Sequence, residues 1–179
     1  MDPNIEIKWV NEDKWGDKTY TKVSKEQFAE TAHISNKASL VAAEIKDLTT
    51  EEKIEWIDKK KIKANQLYKD NKYHEASEVY LEALCGFSFE TEPKSWIKEL
   101  NLTLKVPILN NLVLLLMKRN LYGNANVMAD QVLEIDPDNF KAHLRKAECL
   151  IVIEDLAKAE KEIEICQSLA STWEDKLEV

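Results

Sequence analysis

Lys60-Lys61-Ile62-Lys63-Ala64-Asn65-Gln66-Leu67-Tyr68, followed by Tyr73-His74-Glu75-Ala76, returns later in the chain in altered form: Ala142-His143-Leu144-Arg145-Lys146-Ala147-Glu148-Cys149-Leu150, followed by Leu156-Ala157-Lys158-Ala159. Each copy reads as an amphipathic helix, a short polar turn and a second helix that opens toward a buried alanine. A middle copy runs from Asn111-Leu112-Val113 to Leu116, with its own alanine at Ala125. Ala125 and Ala159 are 34 residues apart, as are Val132 and Cys166, the next small core positions. Pro137, in Glu134-Ile135-Asp136-Pro137-Asp138-Asn139, closes the middle copy because proline cannot continue a helix. Three such units imply an all-α stack, each unit burying its apolar face against its neighbours. Composition agrees: three Gly and four Pro in 179 residues are too few for the turns of a β-rich fold.

This pattern resembles the tetratricopeptide repeat, a 34-residue helix–turn–helix unit. The resemblance covers roughly residues 53–169 as three repeats and implies a right-handed superhelix. In the first repeat Ala64, Leu67, Tyr73, Ala76, Tyr80 and Ala83 match the family's small and aromatic packing positions. The sequence departs from the pattern in two ways. The usual Trp near the start of the first helix is absent from all three repeats, and the small residue at the helix crossing is Val113 in the second. Between Ala76 and Ala125 the gap is 49, so 15 residues are inserted around Phe87 to Val106. With Pro93 and Pro107, that insertion is similar to the lengthened second-repeat helix of large immunophilins. A helix beginning near Ser95 and kinked or restarted at Pro107 is expected.

The chain divides into an N-terminal extension, 1–50, and a repeat domain, 51–179. In the extension Ile5, Ile7 and Trp9 alternate and Tyr20 to Val23 is β-prone, a pattern compatible with a small hairpin. Trp9 and Trp15 suit either a hairpin core or a docking patch. Ser24 to Gln27 has capping-box spacing, and Ser39 to Ile45 suits a short helix. Fifty residues are too few for a prolyl isomerase domain of the immunophilin kind. Thr49 and Glu52 have capping-box spacing ahead of a long helix, while Asp138 and Asp155 suit helix N-caps. After Ser168, a short segment with Trp173 and Leu177 is expected to cap the last repeat.

Five polar residues stand out once apolar positions have fixed the register. Lys61 and Asn65 are four apart on the first helix of repeat one, so they share a face. Lys141 and Arg145 repeat that spacing in repeat three, and Asn111 falls between in repeat two. Asparagine is a poor helix former that competes for backbone bonds, so two of them at these places need a reason. All five match the two-carboxylate clamp of tetratricopeptide co-chaperones, residue type for residue type. By that resemblance Lys61, Asn65 and Asn111 hold a terminal main-chain carboxylate, Lys141 the side chain of a C-terminal Asp, and Arg145 the peptide just upstream. The implied ligands are the Glu-Glu-Val-Asp tails of cytosolic heat-shock chaperones of the 70- and 90-kDa classes. Both carboxylates of a C-terminal Asp are ionised at neutral pH, and cationic donors bind them with short, strong hydrogen bonds. Lys59, Lys60, Lys63, Lys118 and Lys146 lie near the clamp in sequence; those facing the groove would steer an acidic tail.

The expected function is therefore a co-chaperone or adaptor, with residues 1–50 available for a client protein. The alternative is a structural tetratricopeptide subunit of a larger assembly. No nucleophile–base pairing, phosphate loop or metal spacing appears, so neither an enzyme nor a cofactor is expected. Tyr68, Tyr73 and Tyr80 read as inter-helix packing. His33, His74 and His143 show no metal spacing, and His143 reads as a surface residue, with a place facing the groove beside Lys141 or Arg145 as the alternative. Net charge of −8 argues against nucleic-acid and anionic-membrane partners. The most apolar run, Leu112 to Met117, is too short to span a bilayer, and no secretory leader pattern opens the chain. Cys85, Cys149 and Cys166 are odd in number and widely spaced, which suggests buried free thiols in a reducing, cytoplasmic compartment.

Overall fold

The computed structural model describes the backbone of residues 7–12, 18–23, 39–89 and 91–177, and the side chains of 39–89 and 91–171. The chain divides into two compact units, Met1–Lys46 and Asp47–Val179. In the first, β1 (Ile7–Glu12) and β2 (Lys18–Val23) pair antiparallel, with Trp9 opposite Thr21 and Val10 opposite Tyr20. Helix α1 follows over residues 39–45. Trp15, His33, the Ser24–Gln27 cap and the ring of Trp9 lie outside the described residues.

The second unit is all-α. Repeat one is α2 (Thr50–Lys69) and α3 (Tyr73–Cys85). Repeat two begins with α4 (Lys94–Leu100), a π-helical segment (Asn101–Lys105) and α5 (Val106–Lys118), and ends with α6 (Tyr122–Ile135). Repeat three is α7 (Phe140–Val152) and α8 (Leu156–Leu177). Helix α8 runs unbroken to Leu177, so the capping segment expected after Ser168 is a continuation of that helix.

Local chemistry explains where the helices begin and turn. At α2 the capping box forms: Thr49 Oγ1 accepts from the Glu52 amide at 3.3 Å, and Glu52 Oε2 accepts from the Thr49 amide at 2.8 Å. These bonds hold the Glu52 carboxyl below its usual range. Each turn inside a repeat closes with the same left-handed C-terminal motif, at Asn71 (φ 59°), Asn120 (φ 59°) and Glu154 (φ 62°). In all three, the next amide reaches back to the carbonyl five residues earlier: Lys72 to Leu67, Leu121 to Leu116 and Asp155 to Leu150. Asp155 caps α8, its Oδ1 accepting from the Lys158 amide. At α7 the cap is Asn139 and not the expected Asp138; Asn139 Oδ1 accepts from the Ala142 amide at 3.1 Å.

The second-repeat helix runs on through Pro107, from Lys94 to Lys118, with regular α geometry resuming at Val106 after the π segment. The preceding π turn absorbs the proline. Within it the Val106 amide bonds the Asn101 carbonyl, five residues back, and the widened turn makes room for the pyrrolidine ring. By length and mean hydropathy this 25-residue helix could cross a membrane, unlike the short run singled out from sequence. Its apolar character has a local cause, because Ile108, Leu112, Val113 and Leu115 are fully buried in the repeat core. Each contributes roughly 1.5–3 kcal/mol on leaving water. The register alanines Ala76, Ala83 and Ala125 have no exposed surface at all.

Candidate peptide-binding groove

The helices α2, α5 and α7, the first of each repeat, carry the five polar residues singled out above. Asn65 and Asn111 meet directly, with Asn111 Nδ2 at 3.4 Å from Asn65 Oδ1. Beneath them lies the hydroxyl of Tyr80 from α3, a residue only 1% exposed. Tyr80 Oη donates to Asn65 Oδ1 in a short hydrogen bond and accepts from Asn111 Nδ2 at 3.0 Å. Burial raises the Tyr80 phenol above its usual range, so it remains a hydroxyl at neutral pH.

Asn111, Lys141 and Arg145 line one groove of about 750 Å³. Its walls add apolar surface from Val106, Pro107 and Phe140, and the acids Asp136 and Asp138 from the turn before α7. Lys141 is exposed there. Arg145 is half-buried; its Nη1 donates to the Asn110 carbonyl at 2.6 Å, which leaves its other nitrogens for a ligand. Burial lowers the Arg145 guanidinium from its very high ordinary value. Neither Lys61 nor Asn65 is among the residues that line this groove, and Asn65 is tied to it only through Asn111. The Lys61 Nζ pairs with Asp58 Oδ1 at 2.6 Å, one turn earlier on α2, in a partly exposed contact of the weak kind. The structure thus joins Asn65 to Asn111, and Asn111 to Lys141 and Arg145, while Lys61 faces along its own helix.

None of the five neighbouring lysines lines the groove. Lys59 pairs with Glu55, Lys60 with Glu82 while lying over the Trp56 ring, and Lys146 with both Asp130 and Glu162. Positive charge in the groove therefore comes from Lys141 and Arg145, beside the acids Asp136 and Asp138, rather than from a general basic field.

Three supporting residues escaped the sequence reading. Tyr80 was assigned to packing alone. Asn110, 8% exposed, holds Arg145 through its carbonyl, and its Nδ2 lies 3.4 Å from the Oδ1 of Asn139, the cap of α7. His143, expected on the surface, is 6% exposed. Its Nδ1 is 2.6 Å from Glu162 Oε2 and its Nε2 is 2.8 Å from the Pro137 carbonyl. Both partners are acceptors, so full pairing needs a hydrogen on each ring nitrogen. Burial alone would raise the Glu162 carboxyl, but hydrogen bonds from Lys146 and His143 outweigh it and hold the group below its usual range. A backward glance from Asp136-Pro137-Asp138-Asn139 to His143 is the one sequence signal available for this contact, and it is weak.

Among the described residues no cluster of His, Cys, Asp or Glu could hold a metal ion. The three cysteines are free; Cys149 and Cys166 are buried but Cys85 is exposed, contrary to expectation. Burial pushes the Cys149 thiol up to about 11, so it is inert at neutral pH. Tyr68 and Tyr73 pack ring against ring at 5.6 Å, as expected of helix packing.

Comparison with known proteins agrees with this architecture. Residues 116–165 match the family model described as Tetratricopeptide repeat. The C-terminal tetratricopeptide-containing domain of a Plasmodium falciparum FK506-binding protein is similar at 27% identity and a TM-score of 0.65, over 71% of this chain and 85% of that one. A multi-domain immunophilin from Arabidopsis thaliana matches at 25% identity and a TM-score of 0.61, over 68% of this chain. The match spans only 48% of that immunophilin's length. The first tetratricopeptide domain of Spaghetti (RPAP3) shares the fold at 16% identity and a TM-score of 0.51, over 63% of this chain and 78% of that one. The helical unit is thus similar in fold to the tetratricopeptide domains of these immunophilins, and residues 116–165 carry the repeat's own sequence pattern.

Proposed function

We propose that this chain is a non-catalytic adaptor or co-chaperone that binds the free C-terminal tail of a heat-shock chaperone in the cytoplasm. The observation that carries the reading is the convergence of Asn65, Asn111, Lys141 and Arg145 from three successive first helices. Amide, ammonium and guanidinium donors brought together in this way suit a residue with two carboxylates. The Spaghetti (RPAP3) domain, which shares the fold, was solved with the HSP90 peptide SRMEEVD, and that ligand ends in such a residue. Lys61 completes the clamp by exchanging Asp58 for the terminal carboxylate, an exchange favoured because the Asp58 pair is partly exposed. Residues 1–50 remain available for a client protein, and neither nucleic acid nor membrane is a partner in this reading.

Titration of a labelled peptide ending in Glu-Glu-Val-Asp tests it. Micromolar binding that disappears when the peptide terminus is amidated supports the clamp; binding indifferent to amidation overturns it.

One observation favours a second reading, a structural subunit of a larger assembly. Leu144, Ile151, Val152, Leu156 and Ile163, all from repeat three, are exposed. Apolar surface of that kind often marks an interface. A partner that co-purifies at fixed stoichiometry, with no response to the tail peptide, would favour this reading over the first.

A further inference from the structure

We propose that the Tyr80 hydroxyl sets the direction in which the Asn65 amide faces, so that the site offers a carboxylate N–H groups instead of a carbonyl oxygen. The inference rests on the clamp reading above for its ligand, but not for its geometry.

An asparagine side chain is ambiguous by nature. Its Oδ1 and Nδ2 branches have nearly the same shape and opposite polarity, and rotation by half a turn exchanges them. At a clamp that exchange matters, because a carboxylate is stabilised by two N–H donors and repelled by a carbonyl oxygen in their place. Something must choose between the two.

The hydroxyl couples the two amides, because it gives one hydrogen and accepts another, and the structure holds the pair in the sense that keeps the Asn65 oxygen inward. On one side Tyr80 Oη meets Asn65 Oδ1, which only accepts. On the other side it meets Asn111 Nδ2 at 3.0 Å, which only donates. The bonds therefore run in one direction, from Asn111 N–H to the Tyr80 oxygen and from the Tyr80 O–H to Asn65 Oδ1. With its oxygen held beneath, Asn65 turns its Nδ2 away from the hydroxyl, where it has no partner among the described residues. Asn111 spends one Nδ2 hydrogen on Tyr80; the other is only loosely held, at 3.4 Å from Asn65 Oδ1, and can pass to a ligand. An anion bound at Asn65 polarises the bonds below it in the same sense, which strengthens them together. Burial keeps Tyr80 protonated, so the relay does not change through the neutral range.

Tyr80 is thus a positioning residue. It acts on the ligand through the two asparagines, and its ring serves the core independently of its hydroxyl. Tyr80→Phe keeps the ring and removes only the relay.

The test compares the full chain and its Tyr80→Phe variant in two measurements. The first is the ratio of affinities for the free-acid and amidated forms of a Glu-Glu-Val-Asp peptide. The variant should lose about tenfold in that ratio, the size of one charge-assisted hydrogen bond. A purely structural role would lower both affinities equally and leave the ratio alone, and an unchanged ratio overturns the proposal. The second, made without peptide, follows the side-chain amide NMR signals of Asn65 and Asn111. Both pairs should move in the variant while backbone signals away from α2, α3 and α5 stay in place. If the full chain shows no preference for the free acid, the clamp reading fails and the NMR result decides for Tyr80: shifted amides support the relay and unmoved amides overturn it.

Discussion

The two junctions between repeats are built from different chemistry. Between repeats one and two the contacts among the clamp residues are neutral: Asn65, Tyr80 and Asn111 form a chain of hydrogen bonds with no ion in it. A charged donor across that junction, Arg119 Nη1, meets the neutral Ser77 hydroxyl at 2.8 Å. Around repeat three the pairs are ionic, with Lys146–Asp130 crossing from repeat two and the two pairs to Glu162 lying within the repeat. Lys146 of α7 reaches Asp130 of α6 at 2.8 Å and Glu162 of α8 at 2.7 Å, while His143 pairs with the second oxygen of Glu162. Arg145 adds its own charge, bonded to the Asn110 carbonyl. A neutral junction fixes direction without depending on protonation. An ionic junction supplies the charge an anionic ligand needs, but ties its own structure to pH. A C-terminal Asp, with two carboxylates a few ångströms apart, is suited to a groove that has one end of each kind.

The largest expected effect lies at the ionic end. Arg145→Ala should weaken binding of the tail peptide by about 2–5 kcal/mol, because a half-buried, hydrogen-bonded charge is removed and its ligand group is left unpaired. Lys141→Ala should cost only a few-fold, since that side chain is exposed and its attraction is screened by salt. Isothermal titration of both variants, at low and moderate salt, measures the difference. Equal losses would show that Arg145 is no better anchored than Lys141, and the contrast between the two ends would then fail within the ionic end itself.

Next in size is the stability that the ion pairs of repeat three supply. Glu162→Gln removes the charge that Lys146 and His143 share, and should cost about 3 kcal/mol in urea unfolding. Tyr80→Phe, its counterpart at the neutral junction, should cost about 1 kcal/mol, the net value of an ordinary hydrogen bond. The pH dependence separates them further. The Glu162 carboxyl is held below its usual range in the folded chain, so its contribution is complete above the ordinary carboxylate value and disappears as pH falls through the lowered one. Wild type and Tyr80→Phe should therefore lose stability in parallel on acidification from about pH 5 to about pH 3. Glu162→Gln should lose less over that interval. Parallel curves for all three would place the acid sensitivity elsewhere.

The repeat register was legible because it depends on residues with one job. An alanine fully buried where helices cross has no alternative explanation, and Ala76, Ala125 and Ala159 gave spacings that the left-handed turn residues Asn71, Asn120 and Glu154 reproduce. The site was only partly legible, because its supporting residues have two jobs. Tyr80 fills a packing position with its ring, so its hydroxyl, bonded to residues 15 and 31 positions away, left no separate mark on the pattern. His143 shares its helix with Lys141 and Arg145 but faces the opposite partner, α8, and no local spacing reveals that Glu162 is there. Pro107 misled for another reason. The π turn that accommodates it is an adjustment of backbone hydrogen bonding, and no residue in Asn101-Leu102-Thr103-Leu104-Lys105 announces it.

The smallest test moves the comparison from side chains to backbone. Repeats one and two turn on asparagine, which tolerates the left-handed conformation, whereas repeat three turns on Glu154, which bears a longer side chain at φ 62°. The three turns share the same backbone hydrogen bonds, and in the first two the asparagine Oδ1 also accepts from the Tyr73 or Tyr122 hydroxyl, at 2.8 and 3.3 Å. Glu154→Gly should relieve the steric cost of the left-handed conformation, although glycine also gives the unfolded chain more freedom and offsets part of the gain. A net stabilisation of about 0.5–1 kcal/mol is expected in thermal unfolding. Glu154→Asn should gain less, because asparagine keeps its Cβ. The affinity for the tail peptide should stay unchanged in both, since Glu154 lies outside the groove lining. If Glu154→Gly destabilises instead, the glutamate side chain makes a compensating interaction, and the third turn differs from the first two in more than its residue.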